Sequence, residues 1–282
     1  MAIRELLRTP ETYSQARLVA MDFDNTVART FEPSPNGLGV TQVCSMSIQE
    51  MFGSRVFKSF EDSGGLQNRA PAEVIRQLAP DAEGIEHDRL VDEFISKKLE
   101  IIMGEIGKSL PDGALWPRPT AGYLELCKAI QGARARGSLI DEAIISSGHE
   151  PFIQEVYSVW GIQQPGIVIA TETTQRAAQD LELSSESLVK PASILIQMAR
   201  TAWALDYDVM TNPAAGLSSD EQRRITYVGD DLNKDAGLAK NSGVAFEHIN
   251  PNDPTSSWAT WQRLADKFAL GKLGMESGGL DA

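Results

Sequence analysis

Cysteine, long apolar runs and positive charge are all scarce in this chain, and each scarcity removes a class of protein. Two cysteines, Cys44 and Cys127, occur in 282 residues without a CxxC spacing. Neither a disulfide framework nor a structural zinc site is expected, and both read as reduced fillers of helix faces. No stretch reaches the roughly 18 unbroken apolar residues that a membrane span needs. The opening MAIRELLRTPETYS lacks the apolar core of a secretory signal, so the expectation is a soluble, cytoplasmic protein with no membrane partner. Lys and Arg number 26 against 39 Asp and Glu, a formal charge of −13. Nucleic-acid binding needs clustered positive charge, so no nucleic-acid partner is expected. What is present is ordinary globular material, 42% hydrophobic and 23% charged, in a length that suits one large domain or a core carrying an inserted unit. Nothing in it assigns an oligomeric state.

Apolar, β-branched runs that stop abruptly at acidic or small polar residues mark buried parallel strands read to their carboxyl ends. Three have this form: Leu18 to Met21 before Asp22, EAIISSG at 142–148, and ITYVGDD at 225–231. GIVIAT at 166–171 and GVAFEHI at 243–249 complete a five-stranded set. Helical patterns lie between them: Tyr123–Gln131 after Pro119, Phe152–Trp160 after Pro151 and closed by Gly161, and Ser193–Leu205 after Pro191. Proline near a helix start and glycine just past its end is the usual asymmetry. The alternation predicts a Rossmann-like α/β fold, a parallel sheet with helices on both faces, whose ligand site lies beyond the carboxyl ends of the strands.

From about Thr30 to Leu115 the alternation stops. Val40–Phe52, Ala72–Leu78 and Arg89–Ile106 read as helices, the last with Leu90, Val91, Phe94, Ile95, Leu99, Ile102 and Ile106 in one stripe. The prediction is an inserted α-helical domain over 31–115 within a core of 1–30 and 116–270. An amphipathic helix covers 252–268, a surface insertion 206–224, and 271–282 is a disordered tail.

The chemistry concentrates at three strand ends. Asp22-Phe23-Asp24-Asn25-Thr26 sets two carboxylates at the end of a buried strand, where they repel and lose solvation. A fold that keeps them there needs a cation or a chemical use for them. Gly229-Asp230-Asp231-Leu232-Asn233-Lys234-Asp235 brings further acids to another strand end. Oxygen-only donors of this kind suit Mg²⁺, usually shared with a substrate phosphate. Ser146, Ser147 and Gly148 lead into a helix start, where a hydroxyl and backbone N–H groups form an anion cradle. Lys190, before Pro191, supplies a fixed positive charge for a phosphoryl group. His149 reads as a helix-capping or solvated residue in preference to a substrate contact, and His87 and His248 read as surface residues.

Taken in order, DFDNT, a strand ending in Ser146, Lys190-Pro191 and GDDLNKD resemble the four motifs of the haloacid dehalogenase (HAD) superfamily. The resemblance covers roughly 1–30 and 116–250, with the insertion where C1-type helical caps occur. It implies that Asp22 is a nucleophile forming an aspartyl-phosphate, and that Asp24 is the general acid and then the base that activates water. It further implies Mg²⁺ held by Asp22, Asp230 and the backbone carbonyl of Asp24. Thr26 would brace the loop beside the phosphate, and Ser146, Ser147 and Lys190 would hold phosphate oxygens. Asp235, or Asp231 in an adjacent-acid variant, would support the metal ligands, and the spacing leaves open which. A carboxylate at the Asp24 position disfavours carbon–halogen chemistry. The implied activity is Mg²⁺-dependent phosphoric monoester hydrolysis of a small phosphorylated metabolite. The alternatives are a phosphosugar mutase of the β-phosphoglucomutase kind and a non-catalytic phosphate-binding protein, which has no need of the Asp24 carboxylate. Within the insertion, Gly64-Gly65-Leu66-Gln67-Asn68-Arg69 resembles the substrate-selecting loop of C1 caps, which makes Asn68 and Arg69 specificity candidates. The other reading is a plain helix–helix connection.

Overall fold

A computed structural model of the protein describes residues 8–62, 65, 71–180, 188–212 and 215–268. Asn68, Arg69 and the expected tail 271–282 lie outside the described residues. The strands are β1 (Arg17–Met21), β2 (Ile140–Ile145), β3 (Ile167–Ile169), β4 (Ile225–Gly229) and β5 (Ala245–His248). The helices are α1 (Pro10–Tyr13), α2 (Val40–Phe52), α3 (Ser54–Asp62), α4 (Pro71–Leu78), α5 (Ile85–Met103) and α6 (Tyr123–Ala135). They continue as α7 (Glu150–Val159), α8 (Thr171–Asp180), α9 (Ile194–Leu205), α10 (Ser219–Arg224), α11 (Lys234–Ser242) and α12 (Pro254–Lys267). Among the described residues, no helix is long and apolar enough to cross a membrane.

The chain divides into two compact units. Met1–Arg29, Pro119–Glu150 and Pro165–Ala282 form one, and Thr30–Arg118 with Pro151–Gln164 form the other. The first holds a wholly parallel sheet in the order β3-β2-β1-β4-β5. Side chains alternate across a strand. Leu18, Ala20, Ala143, Ile145, Ile225 and Tyr227 therefore share one buried cluster with Leu195, Ile196, Trp203 and Leu238 of α9 and α11. The out-of-phase residues Val19, Met21, Ile144 and Val228 are equally buried, as they must be in a sheet covered on both faces. Met21 stands level with Ile144 of β2 and Val228 of β4. Their carboxyl ends therefore finish in one row, flanking the point where the strand order reverses.

The second unit is built on α2 to α5. Ile48, Phe57, Phe60, Val74, Ile75 and Phe94 make its core. Buried Glu105 ties the segment before α2 to the end of α5, accepting from Ser34 Oγ at 2.5 Å, Asn36 Nδ2 at 3.1 Å and Lys108 Nζ at 2.6 Å.

Two differences from the sequence reading have clear causes. Strand β2 begins at Ile140, before the apolar run, because Asp141 and Glu142 are buried within it. Asp141 accepts from Trp203 Nε1 at 3.0 Å and Tyr207 Oη at 2.7 Å and pairs with Arg8, while Glu142 pairs with Arg134 at 2.9 Å. The segment 206–224 is not a free surface excursion in its described part. The Ser218 hydroxyl and the Glu221 carboxylate cap α10 reciprocally. Buried Arg200 of α9 donates to the carbonyls of Asn212 and Ala215 at 3.0 and 2.9 Å.

Candidate active site

Asp22 follows β1 directly, its N–H continuing the ladder to the Val228 carbonyl at 2.8 Å. The chain then folds into a tight loop. Val27 and Ala28 N–H return to the Phe23 carbonyl at 3.0 and 2.9 Å, and Asn25 takes φ +60°, a conformation asparagine tolerates better than most residues. Thr26 is fully buried beneath it and points its hydroxyl at Asp22 Oδ2 (3.4 Å) and Asp230 Oδ1 (3.3 Å). The Thr120 hydroxyl holds the Thr26 carbonyl at 2.7 Å and receives the Trp261 indole N–H at 3.3 Å. The loop is thus braced from the sheet and from helix α12.

Asp22, Asp230 and Asp235 bring three carboxylate oxygens within 4.8 Å of one another. Lys190 ion-pairs with Asp22 and, at 2.8 Å, with Asp235 Oδ1. Burial opposes a charged lysine, but Asp22 and Asp235 more than offset it and hold Lys190 well above its ordinary value. One lysine does not neutralise the group. Burial pushes Asp22 well above the usual carboxylate range against the pull of Lys190, with Asp235, Asp24 and Asp230 adding to the rise. Asp230 goes up to about 6, first by burial and then by Asp235. Carboxylates in surplus over cations give a site with affinity for added positive charge.

The two candidates for supporting acid separate geometrically. Asp235 is buried and its oxygens are engaged inside the protein: Oδ1 by Lys190 and by Tyr227 Oη at 3.0 Å, Oδ2 by the Asp231 N–H at 3.1 Å. Asp231 turns away to the start of α11, accepting the N–H of Asn233 at 2.8 Å and of Lys234 at 2.9 Å. Partial burial would raise it, yet those two N–H groups hold it below the usual range. Gly229 makes the arrangement possible, since a Cβ there would collide with the Asp235 side chain.

Asp24 stands on the other side of the loop. Ser146 Oγ donates to its Oδ2 at 3.4 Å and receives the Gly148 N–H at 2.8 Å. Ser147 is exposed, and its carbonyl accepts the Thr171 hydroxyl at 2.9 Å. The structure therefore brings Asp22, Thr26, Lys190, Asp230 and Asp235 into one contact set and joins Asp24 to Ser146. Asp231 serves the helix start.

The histidines depart from the sequence reading. His149 is buried, 3% exposed, with Nδ1 2.8 Å from Glu172 Oε1. His248 ends β5, and its Nε2 lies 3.1 Å from the Asp230 carbonyl. His87 Nε2 lies 3.1 Å from the Ala72 carbonyl. Tyr227, Thr120 and Glu172 are the residues that sequence reasoning missed around the site, and His248 is one it read as a surface residue. Only Tyr227 had a local signal, lying inside the strand that carries Asp230.

Fold and site together define an α/β protein with an acidic, lysine-braced centre at its strand ends. No family model matches the chain, and no curated protein matches it. Among solved structures it is similar to CbbY from Rhodobacter sphaeroides in complex with phosphate, at 14% identity over 83% of this chain and 86% of that one, TM-score 0.49. It is similar to a HAD family hydrolase from Deinococcus radiodurans with bound phosphate and sodium, at 11% identity over 91% and 98%, TM-score 0.44. It is similar too to a 2-haloacid dehalogenase from Pseudomonas syringae, at 13% identity over 84% and 87%, TM-score 0.43.

Proposed function

We propose that the protein is a Mg²⁺-dependent HAD-type phosphatase that hydrolyses a small phosphorylated metabolite through an aspartyl-phosphate on Asp22. The observation that carries this reading is the pairing of Asp22 with Lys190 inside a group of carboxylates that outnumber it. The residues present fit a hard divalent cation: donors are all oxygen, three lie close together, and the local charge is negative. Asp22, Asp230 and the Asp24 carbonyl would hold Mg²⁺, which when bound supplies charge neutralisation for the phosphoryl oxygens.

The chain's own groups divide the rest. An oxygen of Asp22 attacks phosphorus while the leaving oxygen takes a proton from Asp24, and the alcohol departs. Asp24 then takes a proton from water as that water attacks the phosphoryl group, releasing phosphate and restoring Asp22. Lys190, Ser146, Ser147 and the buried Thr26 form the proposed phosphate-binding set, with Asp235 holding Lys190 in place. Asp24 also supports phosphoryl over carbon–halogen chemistry, because a dehalogenase has no use for an acid there. We further propose 31–115 as a C1-type cap, with Asn68 and Arg69 choosing among substrates. The test is a panel of phosphorylated metabolites assayed with and without Mg²⁺. Hydrolysis of at least one, lost on chelation, is expected, and no hydrolysis of any would overturn the reading.

A further inference from the structure

Strand β4 carries a phenol where its packing asks only for a ring. Ile225 and Tyr227 face the same way along β4, and the fully buried Tyr227 shares one cluster with Leu18, Ala20, Leu195 and Leu238. Its ring stacks on Phe246 of β5, with 6.5 Å between centroids and 27° between planes. A phenylalanine would serve all of these contacts. The hydroxyl is the part that packing does not explain, and a buried hydroxyl, having lost its water, needs a partner. That partner is Asp235, whose Oδ1 accepts it at 3.0 Å.

The bond falls on the best supplied of the three carboxylates grouped at the strand ends. Asp235 accepts from Lys190 Nζ at 2.8 Å, from Tyr227 Oη and, through Oδ2, from the Asp231 N–H at 3.1 Å. Among side-chain donors, Asp22 has Lys190 and the Thr26 hydroxyl at 3.4 Å, and Asp230 has the same hydroxyl at 3.3 Å. A carboxylate oxygen that already accepts two hydrogen bonds has little left to offer a cation. Tyr227 also meets the lysine. Lys190 Nζ lies 5.7 Å from the centroid of its ring, within reach of a cation–π contact. One side chain thus touches both members of the Lys190–Asp235 pair.

We propose that Tyr227 is a positioning residue that divides the three carboxylates by role. Its hydroxyl holds Asp235 as the partner of Lys190 and keeps it off the divalent cation, which is left to Asp22 and Asp230. This rests on the phosphatase reading above. With the hydroxyl gone, Asp235 Oδ1 keeps Lys190 and loses its second donor, so the ammonium is drawn toward Asp235 and away from Asp22 and the phosphoryl oxygens. The same oxygen regains its capacity to meet a cation. Anion binding then weakens while cation binding does not.

The test is Tyr227→Phe in the full chain, which keeps the ring and removes one oxygen. Orthophosphate at saturating Mg²⁺ probes the anion site. Mg²⁺ alone, read through its effect on the melting temperature, probes the cation site, and the metal-free melting curve checks folding. The variant is expected to melt cooperatively, to bind orthophosphate about fivefold more weakly, and to bind Mg²⁺ as tightly as the wild type or more so. A hydroxyl that only stabilised the fold would weaken both probes together or neither. Parallel losses, an unchanged phosphate affinity, or a variant that does not fold therefore overturns the assignment of Tyr227. A wild-type chain that neither binds orthophosphate nor hydrolyses para-nitrophenyl phosphate overturns the phosphatase reading itself.

Discussion

Two buried acidic centres sit at opposite ends of the same sheet, and they are built on opposite principles. At the amino end of β2, Asp141 is met by the guanidinium of Arg8, the indole N–H of Trp203 and the hydroxyl of Tyr207. Donors there suffice for the single acid. At the carboxyl ends of β1 and β4, Asp22, Asp230 and Asp235 crowd around Lys190. The first centre is complete within the protein and serves stability. In the second, burial lifts Asp22 and Asp230 above the ordinary carboxylate range. A buried carboxylate is therefore informative only together with the count of its donors: balance marks structure, and surplus marks a place for an added cation.

The largest expected effect separates the two centres by activity. Asp22→Asn should lower kcat/KM for a phosphomonoester by at least about 10⁴-fold, as loss of a nucleophile does elsewhere. Its melting temperature should hold or rise, because one crowded acid is gone. Asp141→Ala should do the reverse. It removes the acceptor that Trp203 and Tyr207 share and leaves Arg8 paired with Asp206, and should cost about 3–5 kcal/mol in denaturant unfolding, with turnover per folded molecule unchanged. Equal activity losses in the two variants would erase the distinction.

Mg²⁺ gives the next contrast. At a hundredfold excess over its dissociation constant it should stabilise the wild type by about 2.7 kcal/mol. The Asp141→Ala variant should gain as much, and Asp230→Asn little, as read by melting with and without chelator. The smallest effect is in pH. Asp230 moves from its ordinary 3.8 to about 6 in the folded chain, so between those values the folded state holds more protons than the unfolded one. Without metal, stability should therefore fall as pH rises from about 4 to about 6. Asp230→Asn should flatten that slope, and saturating Mg²⁺ should remove it.

The carboxyl ends of β1, β2 and β4 were legible in the sequence because each apolar run stops at a polar residue, and a strand buried on both faces leaves no other pattern. Their beginnings were less so. Asp141 and Glu142 lie inside β2, and the partners that make Asp141 buriable, Arg8, Trp203 and Tyr207, are all more than sixty positions away. Helix α8 was invisible for a related reason: of TETTQRAAQD only Ala178 is buried, so no apolar stripe announces it. Glu172 went unread with it, and His149 without Glu172 looks like any histidine at a helix start. The choice between Asp231 and Asp235 was likewise open in the spacing, since both follow Gly229. It turns on direction, with Asp231 facing the N–H groups of α11 and Asp235 facing Lys190. Side-chain direction at a helix entry is set by turn geometry that short motifs do not encode.

The central claim is that Asp22 carries the phosphoryl group and Asp24 moves the proton. Asp24→Asn mixed with para-nitrophenyl phosphate and Mg²⁺ tests it most directly, because nitrophenolate leaves without an acid while water attack still needs a base. The expected result is a rapid release of about one equivalent of nitrophenolate per chain, slow turnover afterwards, and a phosphoryl group on the peptide holding Asp22 after acid quench. Steady turnover at the wild-type rate with no initial release, or a phosphoryl group on a peptide without Asp22, would contradict the account.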